Sequence, residues 1–453
     1  MWYISGAVMM YVPFPSLTAA ERQARLAPID WSKVEGAAVA DETLRQGLDA
    51  PVWLGDGTAT SAGGDLLASV SAERAKRAAT AFGRAPVTDI EQIERDQWTV
   101  AGGYDRSRPL WKVTLDRPDG LILYVASTTG AVVLDTSRTE RLWNWLGSVP
   151  HWIYPTVLRQ NAPLWRQVIL WTSGLAIVGA VSGMWIGVLR MRLRRRYRDG
   201  RATPYRGWQW LHHVVGLTAG TFLVTWIVSG WLSVDPNRWF ASEGLSEEAR
   251  GAYATAGKSP TINWQRLGRL PQAAGARELR LLWSDGTPLL LLSHRRGEES
   301  VLDARTLRPV VFTPERLKRA AERLFPSSPE PDVDRLTQSD AYWYQAKGKV
   351  EVPVWRFRFT DPARTWVYVS PRSGAILRDV DTRARVYRWL FDGLHRWDFD
   401  GLIARRPLWD AWMWLWLTMG TAVSVSGVVI GYRRLRTSLR KPASGIPSPE
   451  AFA

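Results

Sequence analysis

"RPLWKVTLDRPDGLILYVASTTGAVVLDT" (Arg108–Thr136) decides the fold, because it occurs twice. Moved along the chain by 244 positions without a gap, it lies on "VPVWRFRFTDPARTWVYVSPRSGAILRDV" (Val352–Val380). Pro109 meets Pro353, Trp111 meets Trp355, Tyr124 meets Tyr368, Gly130 meets Gly374 and Asp135 meets Asp379. Each copy reads as strands, and "TTG" and "RSG" are hairpin turns in which glycine can supply the positive φ. The register continues through Arg141/Arg385, Trp145/Trp389 and Leu146/Leu390 to His151/His395, and on to the shared "PLW" at Pro163 and Pro407. Upstream, "SAERAKRAA" (from Ser71) resembles "TPERLKRAA" (from Thr313), a pattern that predicts an amphipathic helix ahead of each set of strands.

The stretch after each hairpin runs into an apolar segment. Three are long enough to cross a membrane, which takes about 20 helical residues: those starting at Leu164, Trp210 and Leu408. "MWYISGAVMMYVPF" at the start is too short to span and is expected to be the second half of a first, truncated span. The 27 tryptophans gather beside these segments, as interfacial aromatic belts do.

Charge gives the orientation. There are 59 Lys+Arg against 43 Asp+Glu, a net charge of +16, and arginine is densest in "LRMRLRRRYRDGRATPYRG" (from Leu189) and "YRRLRTSLRK" (from Tyr432). Both clusters abut apolar segments, which marks cytoplasmic loops by the positive-inside rule and argues against nucleic acid as the partner. The expected order is therefore 1–14, the end of the first span; 15–160, a first periplasmic α+β domain; 164–190, the second span; 191–207, a cytoplasmic arginine-rich loop. It continues with 208–234, the third span; 235–405, a second periplasmic domain; 408–434, the fourth span; and 435–453, a cytoplasmic tail. The fold class is an α+β membrane protein with four transmembrane helices, built as a tandem pseudo-two-fold duplication.

A strand carrying an aromatic, a "YV…G" hairpin, and a span that opens "PLW" and contains "SG" together resemble the PepSY-associated transmembrane family. The start "SGAVMMYVPFPSLTAAERQARLAPID" is similar to that family just after its first span. The resemblance covers nearly the whole chain and implies PepSY-like periplasmic domains in a bacterial inner membrane. It further implies haem b chemistry like that of ferric-siderophore reductases of the FoxB type. Other members carry PepSY units thought to bind or restrain proteases, so a non-enzymatic scaffold or sensor is the alternative function.

The chain has no cysteine and five histidines. That excludes disulfides, iron–sulfur clusters, thiolate haem and covalent c-type haem, and leaves imidazole as the natural axial ligand. His151 and His395, equivalent in the repeat and both expected at the periplasmic membrane edge, are the candidate pair for one b-type haem; the plainer reading is a pair of interfacial residues among aromatics. His212 and His213 open the third span on the cytoplasmic side. His212 shares a helix face with Gly216, Ala219 and Leu223, and the "LHxxxGL" spacing of the resembling family favours it, while His213 stays open as ligand or neighbour. By the duplication, the partner of His212 is expected ahead of Met1, so the number of haems, one or two, is left open. His294 has no repeat mate and is read as a surface residue.

Arg396, Arg405 and Arg406 are candidates for drawing an anionic ferric siderophore or other ferric chelate, with Trp152, Tyr154 and Trp397 as apolar walls; equally, the arginines suit lipid headgroups. Asp398 and Asp400 are candidates for orienting the imidazoles. No nucleotide-binding motif is present, so electrons are expected from a membrane quinol or a separate cytoplasmic donor.

Overall fold

The computed structural model describes residues 1–295, 297–345 and 350–439. Arg440 and the rest of the expected tail lie outside the described residues. The architecture is α+β, with three antiparallel sheets and three helices long and apolar enough to cross a membrane.

After a short helix α1 (Trp2–Met9), the first half forms a meander of β1 (Thr43–Gln46), β2 (Pro51–Leu54) and β3 (Ala59–Ser61). There follow α2 (Ala72–Gly83) and a four-stranded sheet of β4 (Val87–Ile93), β5 (Leu110–Leu115), β6 (Ile122–Ala126) and β7 (Val132–Thr136), in that spatial order. The Ser71 hydroxyl caps α2, whose Ala75, Ala79 and Phe82 pack on Val113, Leu123 and Val125 of the sheet. Two long helices come next, α3 (Ala162–Arg190) and α4 (Gly207–Leu232).

The second half repeats this order. A meander of β8 (Glu278–Ser284), β9 (Thr287–Ser293) and β10 (Glu299–Asp303) precedes α5 (Pro314–Glu322), which is capped by Thr313. The sheet β11 (Asp332–Leu336), β12 (Val354–Arg358), β13 (Trp366–Val369) and β14 (Ile376–Val380) leads to the last long helix, α6 (Arg406–Leu439). The match is detailed. The pairing slips at Tyr124/Val125 in one sheet and at Tyr368/Val369 in the other, and both tyrosines are fully buried. Asp96 accepts backbone hydrogen bonds from Trp98 and Thr99, as Asp340 does from Tyr342 and Trp343. The Asp96 carboxylate also accepts from the Tyr124 hydroxyl, and together with burial this pushes the phenol far above its ordinary pKa.

The two halves do not fold as separate bodies, as the expected domains 15–160 and 235–405 would. β1 pairs antiparallel with β8, Leu44 opposite Leu279, so the two meanders form one six-stranded sheet in the order β10-β9-β8-β1-β2-β3. Leu44, Trp53, Trp264, Leu267, Leu279 and Leu290 bury one apolar cluster drawn from both halves. Buried Glu278 ties the seam further, accepting from Arg22 and Gln23 and pairing with Arg45.

The long helices run 29, 26 and 34 residues, the last continuing five residues past the expected end at 434. α4 packs between α3 and α6, and α1 lies against α6. Tyr3 and Met10, Leu223 and Trp226, and Trp409, Met413 and Leu417 form the shared core of these helices. Outward faces are apolar: Trp171, Leu175 and Val178 of α3 are each about two-thirds exposed or more, a surface suited to lipid rather than water. The chain order sets the α+β units at one end of the helices and the arginine-rich loop 191–206 at the other.

Candidate functional site

His151 and His395 come together where the α+β units meet the helices. Their ring centroids are 6.1 Å apart and their planes stand 78° to one another. His151 ends a short helix, Ser148–His151, that begins after the break at Gly147. His395 follows a π-helical turn, Arg388–Gly393. The local helices differ, but the chain just after each histidine does not. Ile153 and Trp397, equivalent in the repeat, both have positive φ (48° and 56°), a costly conformation for non-glycine residues and above all for a β-branched one. An indole from the following helix clamps each turn: Trp165 Nε1 donates to the Trp152 carbonyl at 3.0 Å, and Trp409 Nε1 donates to the Arg396 carbonyl at 3.1 Å.

Each imidazole rests on a Ser-Gly dipeptide of a neighbouring helix. His151 Nδ1 lies 3.1 Å from Ser5 Oγ of α1, and His395 Nδ1 lies 3.0 Å from Ser229 Oγ of α4. The carbonyls of Trp2 and Trp226 are also within hydrogen-bond reach of the rings. Each serine hydroxyl donates to a carbonyl of its own helix, which assigns the ring as the donor in the Nδ1 contact, so Nδ1 carries the proton and Nε2 keeps its lone pair. Neither Nε2 has a hydrogen-bond partner among the described residues. Both histidines precede the long helices in sequence, and burial holds each well below its usual pKa: His151 is pushed down to about 4, and His395 to about 3 with a further contribution from the His151 charge. Both are therefore neutral at ordinary pH, the form that binds metal.

The pair lines a cavity of about 660 Å³, a size that holds cofactor-sized ligands. Its walls are mainly aromatic and thioether: Trp2, Tyr3, Met9, Met10, Trp152, Tyr154, Trp165, Trp226, Trp409 and Met413. Arg396, Arg406 and Asp398 are its charged groups. Two imidazoles bound to opposite sides of one metal, with metal–nitrogen bonds of roughly 2 Å, place their centroids about 6 Å apart. The observed separation, the free Nε2 atoms and the apolar cavity fit a haem held between the rings. Among the described residues no cluster of three or more His, Asp or Glu is arranged to hold a bare metal ion.

Other expected site residues fall differently. Arg396 and Arg406 line the cavity, each paired with carboxylates: Arg396 with Asp392 and Asp398, Arg406 with Asp410. Arg405 is exposed and outside the lining. Trp397 does not wall the cavity, because its left-handed backbone turns the indole towards Phe222 and Trp412, at 5.5 and 5.2 Å. Asp398 is buried against Arg396 and Tyr344, and Asp400 starts a short helix; neither bonds an imidazole, whose side-chain partners are the two serines.

At the far end of the helices His212 repeats the arrangement. Its Nδ1 is 3.1 Å from both the Val423 carbonyl and Ser426 Oγ of α6, and Gly427 follows. No second histidine faces it among the described residues. His213 is excluded as a ligand in this conformation, since both ring nitrogens are engaged: Nδ1 with Thr203 Oγ1 and Nε2 with the Gly187 carbonyl, each at 2.8 Å. His294 lies in the turn between β9 and β10 and does not line the cavity.

No protein-family model matches the chain, and no curated protein matches it.

Proposed function

We propose that the chain is an inner-membrane haem b protein that carries electrons outward to a periplasmic ferric siderophore or other ferric chelate, releasing ferrous iron. The observation that carries this reading is the pair of imidazoles whose ring centroids lie 6.1 Å apart at the wall of an apolar cavity, with no hydrogen-bond partner on either Nε2 among the described residues. A haem bound there would supply one-electron transfer. His151 and His395 are the residues that would hold it. The tryptophans and methionines exclude water, and Arg396 and Arg406, paired with Asp392, Asp398 and Asp410, are the cations lining the cavity toward carboxylates of the cofactor or of an anionic chelate. His212 is the candidate ligand for a second haem at the other end.

The arginines of the 191–206 loop support an orientation with that loop in the cytoplasm and both α+β units in the periplasm. On this reading the units are PepSY-like domains and the chain belongs with the PepSY-associated transmembrane proteins. The chain carries no nucleotide-binding motif, so a membrane quinol or a separate cytoplasmic protein supplies the electrons.

The test is electron delivery. Full-length protein reconstituted with haem in lipid, reduced and freed of excess reductant, should be reoxidised by a ferric chelate with formation of trapped ferrous iron. A protein that binds haem yet stays reduced in the presence of ferric chelates contradicts the reductase reading, and one that takes up no haem favours a PepSY scaffold.

A further inference from the structure

The serines beneath the two imidazoles are more than packing residues. Ser5 and Ser229 are 1% and 0% exposed, inside helices that present lipid-suited faces. Each hydroxyl donates its one proton back to its own helix: Ser5 to the Trp2 carbonyl at 3.0 Å, Ser229 to the Trp226 carbonyl at 3.1 Å. What remains on each oxygen is a lone pair facing Nδ1–H. The glycine after each serine lets the ring lie against the helix: a Cβ on Gly6 would sit 3.5 Å from His151 Cε1, and one on Gly230 3.4 Å from His395 Cε1. Ser426-Gly427 receives His212 in the same way. The chain also contains a natural control. Ser182-Gly183 on α3 is the same dipeptide, but its serine is exposed and bonds only its own helix, and nothing stands within 4 Å of where a Gly183 Cβ would be.

Resting on the haem reading of the site, we propose that Ser5 and Ser229 are positioning residues: each fixes its imidazole as the Nδ1–H tautomer and fixes the ring plane, so that two Nε2 lone pairs converge on one metal from rings set 78° apart. A ring in the other tautomer points a proton where the metal must be and has nothing to offer it. A ring flipped about Cβ–Cγ turns a carbon towards the serine and strands a buried nitrogen. Groups that orient a ligand through its second nitrogen typically change metal affinity about 10- to 100-fold when removed.

The test uses full-length protein in lipid nanodiscs, labelled with ¹⁵N at histidine. Tautomers are read by NMR without haem, and hemin affinity is then measured by titration. Ser→Ala is made at Ser5, Ser229 and Ser182. Thr and Val are also placed at Ser5 and Ser229, since they share one outline and differ only by the hydroxyl. Ser5→Ala and Ser5→Val should lose the single Nδ1–H signature of His151 alone and weaken hemin binding about 10- to 100-fold. The same changes at Ser229 should act on His395, Thr should restore both readouts, and Ser182→Ala should change neither. Equal tautomers and equal hemin affinity for the Thr and Val variants overturn the positioning role. If His151→Ala binds hemin as the unmodified chain does, the haem reading itself fails, whatever the serines do.

Discussion

The two ends of the long helices hold histidines in the same way and to different effect. At the end beside the α+β units, two imidazoles rest on Ser-Gly dipeptides and face each other at 6.1 Å. At the arginine-rich end one imidazole, His212, rests on Ser426-Gly427 with no facing mate among the described residues, while its neighbour His213 spends both nitrogens on Thr203 and Gly187. The difference separates holding a ring from building a site: Ser-Gly prepares one Nε2, but a six-coordinate metal needs two on a common axis.

The strongest way to break this comparison is to fill the space under the ring. Gly6→Leu and Gly230→Leu put a side chain where an imidazole now lies and should abolish hemin binding at the pair, whereas Gly183→Leu, at the dipeptide with no histidine, should bind hemin normally. Equal loss in all three would mean that helix packing, not the rings, had been disturbed. A smaller effect is expected at His213. Its removal leaves the buried Thr203 hydroxyl and the Gly187 carbonyl without their partner, which should lower stability by about 1–3 kcal/mol in thermal unfolding without changing the haem spectrum. A spectral change there would return His213 to the ligands. His294→Ala, in a turn of the shared sheet, should alter neither spectrum nor ferric reduction, and a loss of either would show a route to the site that the fold does not reveal.

Much of this was legible in the sequence, and the limits are physical. The ungapped repeat identified the hairpin-linked strands in Arg108–Thr136 and Val352–Val380 and the equivalence of His151 and His395, and the matching Ser71 and Thr313 stretches identified the leading helices, because turn residues and helical periodicity act locally. The shared six-stranded sheet was not legible. Its first three strands have only four, four and three residues, and β1 finds its partner β8 more than two hundred positions away, where the repeats have drifted out of register. The orienting groups were missed for a related reason. Asp398 and Asp400 are near His395 along the chain, but in space they turn to Arg396, Tyr344 and a helix start, while the groups that matter are on other helices. A signal was present. "WYISG" and "WIVSG" (Trp2 and Trp226 onward) are evident copies, as are Ser182-Gly183 and Ser426-Gly427. Ser-Gly dipeptides that recur at equivalent places in apolar segments invite the question of what each receives. Trp397 shows the converse: its place in the sequence beside His395 suggested a cavity wall, and one left-handed residue turned it to the opposite side.

The central claim is that His151 and His395 share one metal, and the most direct measurement is the low-spin haem spectrum of full-length protein compared with His151→Ala and His395→Ala. Each single variant should lose most of the low-spin signal arising at the pair, since one imidazole alone leaves the iron five-coordinate, while the His212→Ala protein should keep it. Retention of an unchanged reduced and oxidised spectrum by either His151→Ala or His395→Ala would contradict the shared site.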